Sequence, residues 1–419
     1  MKLSDYEYYR TELGVLYNGN VFDVLPMLEK ESVDCIITSP PYWSLRNYQS
    51  EGAIWDGDKN CKHEWIQHIK KPAGGKGSKS ANVGANKNDA ANMRDGDTIT
   101  NFCNKCGAWR GELGLEPDFN LYIKHLIDIF ELCRPVLKKT GALWVNLGDT
   151  FAGSGCGTND YRTEASKSIQ GVGKNKNLYK TGGIARDIKS IKNKSLVGIP
   201  DRFKIAMIDN GWVCRNDIIW HKPSCMPDSA KDRFTVDYER FFFFTKSGDY
   251  YFKQQLEPLS TSYANDTRPP GVIRQSLYPN SKYNKTKNYG GVFNKKQHHK
   301  YVGVNMSNIS GTPNPEGRNK RCVWAINTGQ YPGEHFAVYP EALITTPIDA
   351  CVPKGGVVLD PFMGAGTTAW VCRVKKIRWI GIEINEKYCK EIINNITHHT
   401  TIRTLKPEDV VKNQIKLAL

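Results

Sequence analysis

The sequence contains no long hydrophobic run: no apolar stretch in its 419 residues approaches the length of about eighteen residues that crosses a membrane. Its first residues, MKLSDYEYYRTELGVLY, have neither the apolar core of a secretion signal nor the pattern of a transit peptide. The composition, 39% hydrophobic and 24% charged, is also unlike that of collagen, coiled coils or disordered chains. These absences exclude fibrous and membrane-spanning classes, and we expect a soluble cytoplasmic protein without a membrane partner.

Acidic residues are comparatively few, since 43 Asp and Glu stand against 58 Lys and Arg and give a formal net charge of +15. Two stretches, residues 153–195 and 253–325, account for the whole excess and show no helical periodicity. They are either solvated surface loops or phosphate-contacting surfaces that become ordered on DNA. The residues expected to contact the DNA backbone are Lys174, Lys176, Lys192 and Lys194. The residues expected to read base edges, as arginine reads guanine in the major groove, are Arg268, Arg274, Arg318 and Arg321.

Only a few of the twelve cysteines have the spacing of metal ligands. Cys103 and Cys106 form a CxxC motif, and Cys61 with His63 forms a CxH motif upstream, across a polar insertion. Together they supply the donor set of a tetrahedral structural zinc site. A turn without metal and a redox-active pair are the alternatives, and His68 is a substitute for His63.

Hydrophobic periodicity predicts strands that alternate with helices at both ends of the chain, as in a parallel sheet wrapped by helices. The long helix is predicted at 117–137, because Pro117 suits the first turn of a helix. We expect Gly141, which follows its last turn, to cap this helix. The predicted strands are 14–17, 33–38, 142–149, 212–221, 238–246, 357–360 and 379–383, and the predicted helices are 21–30, 117–137, 200–210, 340–350, 367–374 and 387–396.

A glycine-rich turn follows the predicted strand VVLD near the end of the chain. The segment DPFMGAGTTA fits G-x-G-x-x-A, in which the glycines let the backbone turn tightly and approach a ligand. Glu383 lies about 20 positions further on, where an acidic residue accepts ribose hydroxyls. An Asp at the strand end and Pro-Phe before the glycines favour an adenosine–amino-acid ligand over a dinucleotide. The alternative is a plain strand-to-helix turn.

A second loop, TSPPYW, follows the predicted buried strand VDCIIT. Its two prolines remove backbone donors and stiffen the loop, so that it becomes a surface of hydrogen-bond acceptors. An exocyclic amino group could donate to the Ser39 hydroxyl and the Pro40 carbonyl while Tyr42 stacks on the base. The alternative is a proline-rich turn at a strand end.

SPPY and FMGAGT in one chain resemble the DNA amino-methyltransferases that use S-adenosylmethionine, and their order resembles the β group of that family. The resemblance implies an α/β fold, a Rossmann-like methyltransferase sheet with helices on both faces and circularly ordered halves. Residues 1–60 and 107–252 would form the catalytic half, and 326–419 the cofactor half. Residues 253–325 would form the basic target-recognition region. The Cys/His insert at 61–106 lies outside the common family core.

The resemblance also assigns roles to individual residues. The catalytic residues would be Ser39, Pro40, Pro41, Tyr42 and Trp43, where Trp43 either lines the pocket or only packs. The cofactor-binding residues would be Asn20, Thr38, His335, Phe336, Pro340, Asp360, Pro361, Phe362, Gly364, Gly366, Thr367 and Glu383. Asn20 stands where relatives often have Asp.

The expected reaction is methylation of an amino group on a base flipped out of double-stranded DNA, since a stacked base cannot reach the cofactor. Ser39 resembles the cytosine-N4 subset, and adenine-N6 methylation is the alternative. Methylation at cytosine carbon 5 is rejected because no cysteine lies in a Pro-Cys setting. Glutamine and RNA methyltransferases, which usually carry NPPY, and a non-catalytic zinc-containing DNA-binding protein are more distant alternatives. The family implies a bacterial or phage-infected cell and a cognate restriction endonuclease as a candidate partner.

Overall fold

The computed structural model describes residues 1–43, 52–70, 98–152, 191–258, 317–328 and 338–398. The chain divides into two compact units, one formed by Met1–Phe252 with Cys322–Leu419 and the other by Lys253–Arg321. Among the described residues, no helix has the length and apolar character needed to span a bilayer.

The first unit is built on a nine-stranded sheet with the order β1-β2-β15-β14-β3-β8-β10-β9-β13. The five strands from β2 to β8 are parallel, whereas β1 and β10 run antiparallel to their neighbours β2 and β8. These nine strands are β1 (Glu7–Arg10), β2 (Gly14–Asn18), β3 (Val33–Thr38), β8 (Leu137–Leu147), β9 (Val213–His221), β10 (Tyr238–Thr245), β13 (Val323–Ala325), β14 (Val357–Asp360) and β15 (Arg378–Glu383).

Helices cover both faces of this sheet, because the central strands are apolar on both sides. Alternate residues of β3 enter different cores: Ile36 packs on one face and Ile37 on the other. The first face is covered mainly by α2 and α3, and the second by α4, α5 and α6. The α-helices are α1 (Val21–Val24), α2 (Phe119–Val136), α3 (Ile199–Asp209), α4 (Glu341–Cys351), α5 (Thr367–Val374) and α6 (Glu386–His398). The expected α/β fold with helices on both faces is confirmed.

A small antiparallel sheet with the order β4-β7-β6-β5 combines two strands of the Cys/His insert, β5 and β6, with two strands that flank it, β4 and β7. Its strands are β4 (Ala53–Trp55), β5 (Trp65–Lys70), β6 (Thr98–Cys103) and β7 (Trp109–Gly111). The second unit contains the short antiparallel pair β11 (Leu256–Glu257) and β12 (Arg318–Asn319).

Several predicted boundaries are wrong: the strand predicted at 142–149 spans Leu137–Leu147, and the long helix begins at Phe119 rather than at 117. The helix predicted at 21–30 ends at Val24 and continues as a 3-10 turn over Leu25–Met27, since Pro26 has no N–H for a helical hydrogen bond. Gly141 does not cap the long helix. That helix ends at Val136, and the chain enters β8 at once because Leu137 pairs with Val33 of β3.

Candidate active site

Two loops meet at the carboxyl edge of the sheet because β3 and β14 are adjacent parallel strands. The TSPPYW loop leaves β3 and the glycine loop leaves β14. Their bases are joined directly, since the buried Thr38 hydroxyl donates to Asp360 Oδ1 over 2.7 Å. Ligands of open α/β sheets bind in crevices at this edge, so the predicted catalytic and cofactor loops lie where a shared site is expected.

Asp360 is the buried anchor of the glycine loop. Besides Thr38, its carboxylate accepts from the Phe362 N–H at 3.0 Å, the Tyr339 hydroxyl at 2.9 Å and the Thr368 hydroxyl at 2.6 Å. Burial raises the pKa of Asp360, while these donors oppose the rise. The four bonds indicate that Asp360 shapes the loop. Tyr339 and Thr368 are not among the predicted cofactor residues, although they adjoin two of them, Pro340 and Thr367.

The glycine loop bends back onto Glu383. Gly364 and Gly366 have φ of 54° and 85°, a left-handed conformation that glycine adopts without strain. The Gly364 N–H donates to Glu383 Oε2 at 2.9 Å, and the Asn385 N–H donates to Oε1 at 2.8 Å. Burial raises the pKa of the Glu383 carboxyl to about 7, although those two donors lower it. Glu383 therefore lies beside the loop, as its spacing predicts.

The remaining predicted cofactor residues have varied surroundings. Asn20 caps α1 by accepting from the Phe22 N–H at 3.0 Å, and Pro340 precedes α4. Pro361 and Thr367 are buried and Phe362 is half-buried. The other two predicted residues, His335 and Phe336, lie outside the described residues.

Tyr42 links the SPPY loop to neighbouring strands. Its phenol oxygen lies 2.6 Å from Glu239 Oε2 and 3.0 Å from Asn146 Oδ1. The Ser39 hydroxyl donates toward the same oxygen over a long 3.4 Å. Lys222 donates to the other Glu239 oxygen at 2.7 Å. Sequence analysis missed Asn146, Glu239 and Lys222, since each is far from the motif in sequence.

The rest of the SPPYW loop is held by contacts with α2 and with the segment that precedes α2. The Pro41 carbonyl accepts from the Tyr122 hydroxyl of α2 at 2.7 Å, whereas Pro40 is buried. Trp43 is 2% exposed, donates its indole N–H to the Glu116 carbonyl at 3.0 Å and packs edge-on against Phe119. These contacts favour the packing role for Trp43 over the role of a pocket wall.

The predicted zinc ligands converge. The ligand atoms of Cys61, His63, Cys103 and Cys106 all lie within 4.8 Å of one another. The Cys61 and Cys103 sulfurs are 3.9 Å apart, and Cys106 Sγ is 3.4 Å from His63 Nδ1. A tetrahedral zinc with Zn–S bonds of about 2.3 Å places its sulfur ligands about 3.8 Å apart. Donor set and spacing therefore fit zinc. The side chain of the substitute, His68, is not among those described.

A chain of polar contacts through the buried His125 connects the small sheet to the SPPYW loop. His125 is fully buried, stacks on Trp55 and has its two ring nitrogens 3.0 Å from Glu116 Oε1 and 3.2 Å from Asp56 Oδ2. Glu116 is the residue whose carbonyl receives the Trp43 indole. The small sheet, through Trp55 of β4, is therefore packed against the residues that support the SPPYW loop.

Four of the eight predicted DNA-contacting residues are described. Lys192 and Lys194 are exposed, and Lys194 pairs with Asp232 at 2.6 Å. Arg318 and Arg321 pair with Glu257 at 2.8 and 2.7 Å. The others, Lys174, Lys176, Arg268 and Arg274, lie outside the described residues.

Comparisons with known proteins find relatives among type II methyltransferases. A type II methyltransferase of Serratia marcescens, M.SmaI, is 28% identical over 88% of this chain and 86% of its own. M.Cfr9I of Citrobacter freundii is 28% identical over 93% and 89%. The solved PvuII cytosine-N4-specific DNA methyltransferase aligns with a TM-score of 0.48 and 14% identity over 98% of this chain and 95% of that one. The family model N6_N4_Mtase matches residues 33–395, and the chain therefore belongs to the DNA methylase family that this model describes.

Proposed function

We propose that the protein transfers the methyl group of S-adenosylmethionine to the N4 amino group of cytosine at a specific site in double-stranded DNA. The adjacency of the SPPY loop and the glycine loop, joined by the Thr38–Asp360 bond, carries this proposal. One loop offers acceptors for an amino group, and the other suits a nucleoside ligand. Membership of the DNA methylase family supports it from the sequence.

The residues that would hold S-adenosylmethionine surround the glycine loop. Each Glu383 oxygen accepts one backbone N–H and keeps a second lone pair, which suits the two ribose hydroxyls. Gly364 and Gly366 let the backbone approach the methionine end, while Asp360 holds the loop in shape. When bound, this cofactor supplies a methyl group on a positively charged sulfur, and the sulfur keeps the electron pair of the broken bond.

The SPPY loop would hold the flipped base. A cytosine amino group is a poor nucleophile, so acceptors at Ser39 and Pro40 would orient its lone pair and stabilise the positive charge that develops on nitrogen. Tyr42 would stack on the base. Its phenol is anchored by Glu239, which keeps the ring in place before the base arrives. This arrangement requires no covalent intermediate on cysteine.

The base identity rests on Ser39, which resembles the cytosine-N4 subset; adenine-N6 methylation has the same amino chemistry and is the alternative. We expect nucleoside mass spectrometry to find N4-methylcytosine in DNA from a host that expresses the chain, and long-read sequencing to place it in one sequence context. DNA from the same host without the gene is the control. Detection of N6-methyladenine instead would contradict cytosine-N4 methylation and support adenine-N6 methylation. The absence of any modified base would overturn both.

Glu383 predicts a pH dependence of cofactor binding. Its pKa is about 7 in the cofactor-free protein, and ribose hydroxyls donate to the ionised form. We therefore expect affinity for S-adenosylmethionine, measured by calorimetry, to increase as the pH rises through about 7, with proton release on binding. Glu383→Ala should weaken binding by about 1.5–3 kcal/mol and remove this dependence. The pKa of Glu383 in the folded protein lies above its ordinary 4.5. The stability of the cofactor-free protein should therefore fall as the pH rises from 4.5 to about 7, where Glu383 is ionised in the unfolded chain but still protonated in the folded one.

Glu386→Gln is the matched control for this prediction. Glu386 begins α6, three residues beyond Glu383, and its carboxylate pairs with Lys390 on the surface. Its substitution should leave both the affinity and the pH dependence unchanged. Unchanged affinity in Glu383→Ala would contradict the ribose assignment.

Zinc is proposed as a structural ion of the insert. Four protein ligands, Cys61, His63, Cys103 and Cys106, complete a tetrahedral shell and leave no position for a reacting water. The Lys105 N–H lies 3.4 Å from Cys103 Sγ and stabilises a thiolate there. The ion would hold the turn before β7 against the segment before β5 and so stabilise the support under the SPPYW loop.

Sequence recognition is proposed for residues 253–325, and backbone contact for residues 153–195. Both carry the positive charge that phosphate contacts need. Arg318 and Arg321 share Glu257, so base reading by either one would require exchange of an ion pair for a guanine edge. The circular order of the halves, the cytoplasmic location and a partner restriction endonuclease belong to the same proposal.

A further inference from the structure

A line of hydrogen bonds leads from Ser39 to a carboxylate inside the protein. Ser39 Oγ lies 3.4 Å from Tyr42 Oη, Tyr42 Oη lies 2.6 Å from Glu239 Oε2, and Lys222 Nζ lies 2.7 Å from Glu239 Oε1. The first distance is long, as hydrogen bonds of a catalytic site commonly are before substrate binds. The reaction described above uses Glu239 only to anchor the Tyr42 ring and gives no task to Lys222.

The donors and acceptors in this line have one consistent direction. The Glu239 carboxylate, ion-paired with Lys222, only accepts, so the Tyr42 phenol donates its single proton to it. The phenol oxygen then accepts from Ser39, whose lone pairs remain available to an amino group. Asn146 Oδ1, 3.0 Å from the phenol oxygen, competes for the same proton, because Asn146 Nδ2 donates to the Arg240 carbonyl; the shorter contact of 2.6 Å assigns the proton to Glu239. Burial and the charge of Glu239 raise the pKa of Tyr42, which keeps the phenol protonated.

We propose that Glu239 is a positioning residue that receives, through Tyr42 and Ser39, the proton released by the methylated amino group. The inference rests on the proposed amino methylation. The new N–C bond leaves the nitrogen positively charged, and its N–H electron pair stays on nitrogen as the proton moves to Ser39 Oγ. The Ser39 proton moves to Tyr42 Oη, and the Tyr42 proton moves to Glu239 Oε2. Both hydroxyls are restored, the amine is neutral and Glu239 becomes a carboxylic acid.

The position of Glu239 suits this role. Its side chain is 18% exposed, so the proton can pass on to water, and Lys222 lies 2.7 Å from its other oxygen. Among the described residues, the charged or titratable groups in hydrogen-bond contact with its carboxylate are Tyr42 and Lys222. Arg240, the next residue on β10, is bound to Asp217 instead.

Single-turnover methylation of a duplex as a function of pH tests the relay. Glu239→Gln should slow methyl transfer about 100-fold, the lower range for general-base assistance. It should also remove the acid limb, which is the fall in the wild-type rate as the pH decreases. Affinities for S-adenosylmethionine and DNA should stay unchanged. Glu239→Asp should restore the limb and part of the rate. Asp217→Asn, which breaks an ion pair of similar exposure on β9, should leave the profile unchanged.

Tyr42→Phe keeps the ring but cuts the relay, so the double variant with Glu239→Gln should be no slower than the slower single variant. Without cofactor or DNA, NMR of Cζ-labelled tyrosine should show the Tyr42 signal following an acidic titration that Glu239→Gln abolishes. The relay would be overturned if Glu239→Gln kept the acid limb and the rate losses of the two single variants added up in the double variant. If Glu239→Gln fails to fold, Tyr42→Phe must lose the limb by itself. A wild type that methylates no base would overturn the proposed function instead.

Discussion

Ser39→Ala is expected to lower the rate of methyl transfer by about 100-fold, the lower range for loss of one preorganised group that stabilises transition-state charge. The loss should appear equally in kcat and kcat/KM, because the Ser39 hydroxyl interacts fully only as the amino nitrogen becomes positive. Calorimetry should show unchanged affinity for S-adenosylmethionine, since the cofactor residues on the glycine loop remain in place.

Ser32→Ala is the matched control. Ser32 precedes the amino end of β3, at the opposite end of the strand from Ser39, and its hydroxyl bonds to the Glu29 carbonyl at the surface. The Ser32→Ala variant should methylate DNA at the wild-type rate. A Ser39→Ala variant that retains wild-type kcat would remove Ser39 from the reaction and with it the start of the Glu239 relay.

Loss of zinc is expected to unfold the small sheet. A metal that binds only the folded state adds its binding free energy to folding, on the order of 10 kcal/mol in isolated zinc peptides. Protein purified without chelator should contain about one equivalent of zinc. Cys103→Ser should lose it, and hydrogen exchange should show that β6 and β7 lose protection.

Cys322→Ser is the control, since Cys322 is exposed and remote in sequence from the cluster. It should retain the metal and the protection of β6 and β7. Less than about half an equivalent of metal in the wild type would contradict a closed structural site, which binds tightly. Full metal content in Cys103→Ser would remove that residue from the ligand set.

Local pattern was sufficient for most of the sheet and for both loops. Strands such as VDCIIT and VVLD are mostly apolar and buried along their whole length, which is typical of parallel strands covered on both faces. The glycines in the cofactor loop have the positive φ that its motif requires. Sequence pattern failed at Gly141, which does not cap the helix, because strand pairing of Leu137 with Val33 ends the helix at Val136.

Asp360 and Tyr42 have partners that local sequence does not predict. Both residues lie in motifs that the sequence identifies, yet the partners that set their chemistry come from other elements. The sequence gives no indication that Tyr42 meets Glu239, which lies 197 positions away, or that Thr38 meets Asp360, 322 positions away. Hydrogen-bond partners at such separation follow from strand order.

The sequence by itself determined the α/β class, the two loops and the family, because periodicity, turn glycines and prolines act on neighbouring residues. It also determined the four candidate zinc ligands, whose type and spacing carry the chemistry. Only the tertiary structure decided that Asp360 is an internal anchor, that Trp43 packs, and that Ser39, Tyr42 and Glu239 form one line. The physical reason is that a buried polar group must find a partner in the folded chain, and the packing of the whole sheet selects that partner.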